Sequence, residues 1–126
     1  MAIKVFIVDE SVHQRDILKR LLLAGDYEIE IIGEAATGVN AMLLIEDNIP
    51  DIIFLELNKY SQMRPLDVIR GLLSFDPNIR MIICSSSRDR DLLVELHEKH
   101  SLDDIIEKPF EHDKLMKVLR DVIRYT

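Results

Sequence analysis

Seven polar residues in this chain are spaced so that they could do chemistry together: Asp9 and Glu10, Glu56 and Asn58, Ser85 and Ser86, and Lys108. Each ends or follows a short apolar run. If those runs are neighbouring strands, three carboxylates, a hydroxyl and an ammonium converge on one rim. Adjacent acids repel and hold one another's pKa up unless a cation joins them. Hard oxygen donors of this kind suit Mg²⁺, which keeps several waters and takes a couple of carboxylates plus a phosphate. A lysine and a serine beside such a metal would stabilise phosphoryl oxygens during transfer. Taken singly, each residue has a plainer reading: an acid after a strand as a turn former, Ser85-Ser86-Ser87 as a loop and helix cap, Lys108 before Pro109 as a solvated loop lysine. Only their joint placement carries the argument.

The elements that must position them can be read from the hydrophobic pattern. Residues 3–8 form a β-branched apolar run that ends at Asp9-Glu10-Ser11, as a strand buried on both faces would. Ile17, Leu18, Leu21 and Leu22 then recur at helical spacing until Gly25. A second strand is expected over 28–33, and a second helix over 39–47 with Ala41, Leu44 and Ile45 on its inner stripe. The third strand, 51–56, is the most apolar and closes on Glu56. Pro65 suits the first turn of a helix continued by Leu66, Ile69, Leu72 and Leu73. A strand over 79–84, a helix over 89–99, a brief strand over 104–106 and a helix over 111–124 complete the chain. The last helix turns Leu115, Val118, Leu119 and Val122 inward. Five strands alternating with five helices predict an α/β fold, a flavodoxin-like doubly wound parallel sheet in the order 2-1-3-4-5. In such sheets function gathers at the carboxyl ends of the strands, beside the switch point between strands one and three.

Composition narrows the function classes. With 126 residues, 48% of them hydrophobic, the chain is expected to be one domain over 1–126 with a real core. No apolar run is long enough to cross a membrane as a helix, and no signal-peptide pattern opens the chain. The single Cys84 lies in an apolar run, fits core packing and points to a reducing cytoplasm. A net charge of −7 argues against nucleic-acid binding by this domain alone, because phosphate contacts need clustered Lys and Arg. His13, His97, His100 and His112 show no metal-ligand spacing and read as surface or helix-end residues.

Five segments in order carry a family likeness: Val5-Phe6-Ile7-Val8-Asp9-Glu10-Ser11, Ile32-Gly33-Glu34-Ala35-Ala36-Thr37-Gly38, Pro50-Asp51-Ile52-Ile53-Phe54-Leu55-Glu56-Leu57-Asn58, Met81-Ile82-Ile83-Cys84-Ser85-Ser86 and Lys108-Pro109-Phe110. Over essentially its whole length the chain resembles a response-regulator receiver domain of two-component signalling. The resemblance implies a Mg²⁺ held by Asp9 and Glu10 with Glu56 and Asn58, a phospho-acceptor position at Glu56, a switch hydroxyl at Ser85 (with Ser86 one residue off), and a phosphoryl-contacting lysine at Lys108. It also marks departures. Family members usually carry Asp at the positions of Glu10 and Glu56, and an aromatic at that of Ile105. A Met-Pro turn usually follows the acceptor, where this chain has Lys59-Tyr60-Ser61-Gln62-Met63-Arg64-Pro65, one residue longer.

These departures surround the acceptor and its readout. The added methylene of Glu56 moves the carboxylate about 1.5 Å toward the space of a phosphoryl group. Misplacement on that scale costs on the order of 100-fold in a reaction governed by positioning. The expectation is therefore an atypical, non-enzymatic receiver in which phosphorylation is lost or replaced by Glu56, with Mg²⁺ binding weak or absent. Its partners would be a sensor histidine kinase or a downstream signalling protein, met through the 88–124 face, and a homodimer is left open. The alternative is a conventional Mg²⁺-dependent phosphorelay receiver accepting a phosphoryl group from a histidine kinase. A metal-dependent hydrolase on the same rim would need a substrate pocket and a further acid–base group. A flavin protein would need a Ser/Thr/Gly-rich phosphate cradle after strand one, which Asp9-Glu10-Ser11-Val12-His13 does not offer.

Overall fold

A computed structural model describes residues 2–56, 63–86, 94 and 104–123. The strands are β1 (Ile3–Val8), β2 (Ile29–Ala35), β3 (Ile52–Glu56), β4 (Arg80–Ser85) and β5 (Asp104–Glu107). Between and after them run α1 (Val12–Ala24), α2 (Gly38–Ile45), α3 (Pro65–Leu73) and α4 (His112–Ile123). The helix expected over 89–99 lies outside the described residues except for Val94, which is helical. All four strand pairings are parallel and the sheet order is β2-β1-β3-β4-β5, the order expected for a flavodoxin-like sheet.

The pleat sends alternate residues of each strand to two apolar cores. Val5 and Ile7 of β1, Ile52 and Phe54 of β3, and Ile82 and Cys84 of β4 pack with Leu18 and Leu22 of α1 and with Leu115, Leu119 and Val122 of α4. The intervening residues Phe6, Val8, Ile53, Leu55, Met81 and Ile83 pack with Ala41 and Ile45 of α2 and with Val68, Ile69 and Leu72 of α3. A central strand buried on both faces has to be apolar throughout, which is why β1, β3 and β4 read as unbroken apolar runs.

Helix starts are set by local chemistry. Ser11 caps α1, its hydroxyl accepting the Gln14 N–H at 3.2 Å, and Thr37 caps α2 by accepting from Asn40 at 3.2 Å. Pro65 opens α3, as expected.

Two expectations are corrected. Leu44 does not join the inner stripe of α2: it is 56% exposed, and Met42 packs instead toward Gly71 of α3. The helix is apolar at six of its eight positions, so periodicity alone could not single out the buried face. Ser85 is the last residue of β4 rather than the first of a loop. Its pairing with Glu107, and a 2.8 Å bond from the Lys108 N–H to the Ser85 carbonyl, extend the ladder by one residue.

Candidate functional site

Register brings the site together. Val8 pairs with Leu55, so β1 delivers Asp9 at the level of Glu56, and Glu56 in turn pairs with Cys84. The last pair of β4 and β5 sets Lys108 just beyond Ser85. Asp9, Glu56, Ser85 and Lys108 thus stand at the carboxyl ends of four strands, at the switch point between β1 and β3.

The centre is a lysine between two carboxylates. Lys108 Nζ lies 2.8 Å from Asp9 Oδ2 and 3.4 Å from Glu56 Oε1. The second Glu56 oxygen, Oε2, accepts the backbone N–H of Glu10 at 2.9 Å, and Asp9 Oδ1 accepts the N–H of Ser11, also at 2.9 Å. Asp9 is almost fully buried at 3% exposure. Lys108 Nζ also lies 6.0 Å from the centre of the Phe110 ring, which is buried.

Burial is the largest influence on both titrating partners, and it acts in opposite ways. It pushes the Glu56 carboxyl above its ordinary value; the charge of Asp9 adds to that, while the Glu10 N–H and Lys108 work against it. Burial alone would lower Lys108, but its hydrogen bond to Asp9 and the charges of Asp9 and Glu56 outweigh it, and the ammonium is held above its ordinary value. A glutamate beside a lysine is normally acidified. Here burial, with the adjacent charge of Asp9, outweighs the Lys108 ammonium 3.4 Å away, so Glu56 moves the other way.

Other expected site residues are placed less centrally. The Glu10 side chain is exposed, and among the bonds above it is its backbone N–H that serves the site. Ser85 is 1% exposed, and among the described residues its buried hydroxyl has no hydrogen-bond partner. Ser86 is half-buried just past the strand end. Asn58 lies outside the described residues. Ile105 is half-buried against the α2–α3 core. Cys84 is buried, and burial pushes its thiol well above the ordinary range, as suits packing rather than reaction. His13 and His112 are exposed, and His97 and His100 lie outside the described residues.

Sequence reading missed Arg15. One arm of its guanidinium donates to the Asp9 carbonyl through Nη1, and Nε donates to Glu34 Oε1 at 2.9 Å. Lys19 Nζ reaches Glu34 Oε2 at 2.6 Å and Asp16 Oδ1 at 3.2 Å. The hydrogen bond from Lys19 is the main reason that the Glu34 carboxyl sits below its ordinary value. This cluster ties the exit of β1 to the end of β2. A basic residue early in a helix reads as solvated, and nothing short of the β1–β2 register reveals its acidic partner.

Comparisons with known proteins show the family and the fold. The family model described as "Response regulator receiver domain" matches residues 5–120. Chemotaxis protein CheY of Thermotoga maritima is 30% identical over 122 residues, covering 97% of this chain and 98% of that protein. The transcriptional regulatory protein BtsR of Salmonella typhi is 34% identical over 117 residues, covering 93% of this chain and 46% of that protein. Among solved structures, the REC domain of AraT, a response regulator from Geobacillus stearothermophilus, has the same fold. Its TM-score is 0.85 at 23% identity, over 99% of this chain and 95% of that one. With its fold, its strand-end cluster and a family match across most of its length, the chain belongs to the response regulator receiver domains of two-component signalling.

Proposed function

We propose that this chain is an atypical receiver that signals through protein contacts, with Glu56 standing in place of a phosphorylation event. The observation that carries this reading is the closure of the Glu56 carboxylate: one oxygen is bonded to the Glu10 N–H and the other faces Lys108, which Asp9 shares. The lysine positioned to meet a phosphoryl oxygen already has two anionic partners. Glu56 supplies a negative charge there without phosphorylation, with fewer oxygens and less charge than a phosphoryl group, so it mimics the phosphorylated state in part.

Receiver domains typically use Mg²⁺ for phosphorylation, and the donor set here fits that ion poorly as arranged. Both Glu56 oxygens and both Asp9 oxygens are committed to N–H or ammonium donors. Among the described residues no group of three or more His, Cys, Asp or Glu side chains could hold a metal. Mg²⁺ demands near-octahedral oxygen geometry, and the Lys108 ammonium already bridges the two carboxylates that would supply it.

Receiver domains work through contacts with histidine kinases and downstream effectors. For this chain the 88–124 face is proposed as the contact surface. Its described helix, α4, sets exposed Lys114, Lys117 and Arg120 around a buried stripe. One observation favours the conventional phosphorelay reading instead: the buried Ser85 hydroxyl, which has no partner among the described residues, would be satisfied by an incoming phosphoryl oxygen. Intact mass spectrometry of the native chain, incubated with Mg²⁺ and a small-molecule phosphodonor, separates the two. An unmodified mass is expected; a phosphoryl adduct mapped to Glu56 overturns the proposal.

A further inference from the structure

Helix α2 carries an apolar face that the chain itself leaves open. Ala41 and Ile45 enter the core, while Gly38 and Met42 meet α3 at Val68 and Gly71. At 100° per residue, Val39 and Leu43 fall one turn apart on the next stripe, and they are 43% and 73% exposed. Both lie beyond the seam that Gly38 and Met42 make with α3. A helix apolar on nearly all sides is ordinarily enclosed.

The charges around α2 indicate what encloses it. Its first turn holds no acid and its last turn no base, while Glu46 and Asp47 stand exposed at its carboxyl end. Acids belong at the positive amino end of a helix dipole, so α2 is charged against its own dipole. A second α2 packed antiparallel corrects both ends. Glu46 and Asp47 of each copy then lie at the amino end of the other, and Val39 of each meets Leu43 of the other. This arrangement is self-complementary, as a two-fold interface must be.

We propose that the α2 face centred on Val39 and Leu43 is a homodimer surface, with two copies of α2 packed antiparallel about a two-fold axis. The surface is independent of the state of Glu56. Two apolar side chains per copy make a patch well short of the roughly 800 Å² per partner of a standard interface, so the dimer is weak and transient.

Sedimentation velocity on the full chain, from about 10 µM to about 1 mM, tests this across the range where a small interface dissociates. The weight-average mass is expected to climb from 14.6 kDa toward twice that value. Leu43→Glu should hold it at the monomer mass. Leu43 is mostly solvated, so its fold should survive, which an unchanged urea midpoint verifies. Asp47→Lys should weaken association several-fold while slightly raising monomer stability, because it suits the helix's own dipole but not the partner's. A native chain that stays monomeric throughout overturns the proposal, including the case in which it instead binds a synthetic basic amphipathic helix. So does a Leu43→Glu variant that associates like the native chain.

Discussion

The ammonium of Lys108 is what allows two acids to share a largely dry rim. Asp9 is buried and Glu56 half-enclosed, so removing the cation leaves two carboxylates facing each other. Lys108→Met is expected to cost about 2–3 kcal/mol of stability at neutral pH, measured by urea denaturation, since an unpaired buried charge is what makes such losses large. The loss should shrink in acid, where Glu56 takes up a proton; an equal loss at both ends would contradict the pairing. Glu56 itself gives a signed pH dependence. Burial raises its folded pKa above the ordinary 4.5, so the native state binds a proton before the unfolded chain does. Its contribution to stability is therefore fully present below about 4.5 and fades as pH rises through the folded value. Relative to Glu56→Gln, the native chain should gain stability as pH falls from neutrality toward about 4.5. A difference that stays constant over that range would show that burial does not govern this carboxyl.

At the scale of elements, glycines decide how closely α2 and α3 approach, and the two concerned are not equivalent. A Cβ at Gly38 would stand 2.3 Å from Val68 Cγ1, part of a stiff β-branched side chain buried in the core. A Cβ at Gly71 would stand 2.4 Å from Met42 Cε, the free end of a flexible thioether. Gly38→Ala is expected to destabilise by about 1–3 kcal/mol through overpacking. Gly71→Ala should stay within about 1 kcal/mol of the native chain, because Met42 can swing aside and alanine favours the helix. Urea midpoints for the two variants check this, and a reversed order would refute the packing account. The same seam explains a limit of the sequence reading. Ala41 and Ile45 were legible as core, but Leu44 and Met42 could not be ranked without knowing that Gly71 opens a slot beneath α3. Strand ends were legible to within one or two residues, because parallel ladders stop where a partner stops and not where hydrophobicity does. Ser85 illustrates this, held in β4 by Glu107 and Lys108.

Across the whole molecule, the parallel sheet class followed from the alternation, since only strands covered on both faces read as unbroken apolar runs. The order 2-1-3-4-5 was suited by size and count and is fixed by the strand pairings. The convergence of Asp9, Glu56, Ser85 and Lys108 followed from that order, because every strand points its carboxyl end at the same edge. What stayed hidden was the pairing inside the cluster. That Asp9 shares Lys108 with Glu56, that the Glu10 backbone fastens Glu56, and that Arg15 braces Asp9 all depend on side-chain reach across strands distant in sequence. A closed cluster also has a long-range consequence. If Glu56 replaces a phosphoryl group, Mg²⁺ and phosphodonor should leave the amide spectrum of α4 unchanged in the native chain, whereas a working switch would shift those resonances.

The central claim is that the length of one side chain closes this site. Its most direct test is intact mass spectrometry of Glu56→Asp beside the native chain, each incubated with Mg²⁺ and the same phosphodonor. Shortening the side chain withdraws the carboxylate from the Glu10 N–H and reopens the space beside Lys108. The account predicts a phosphoryl adduct on residue 56 of the variant and none on the native chain. Equal labelling of both, or labelling of neither, would contradict it.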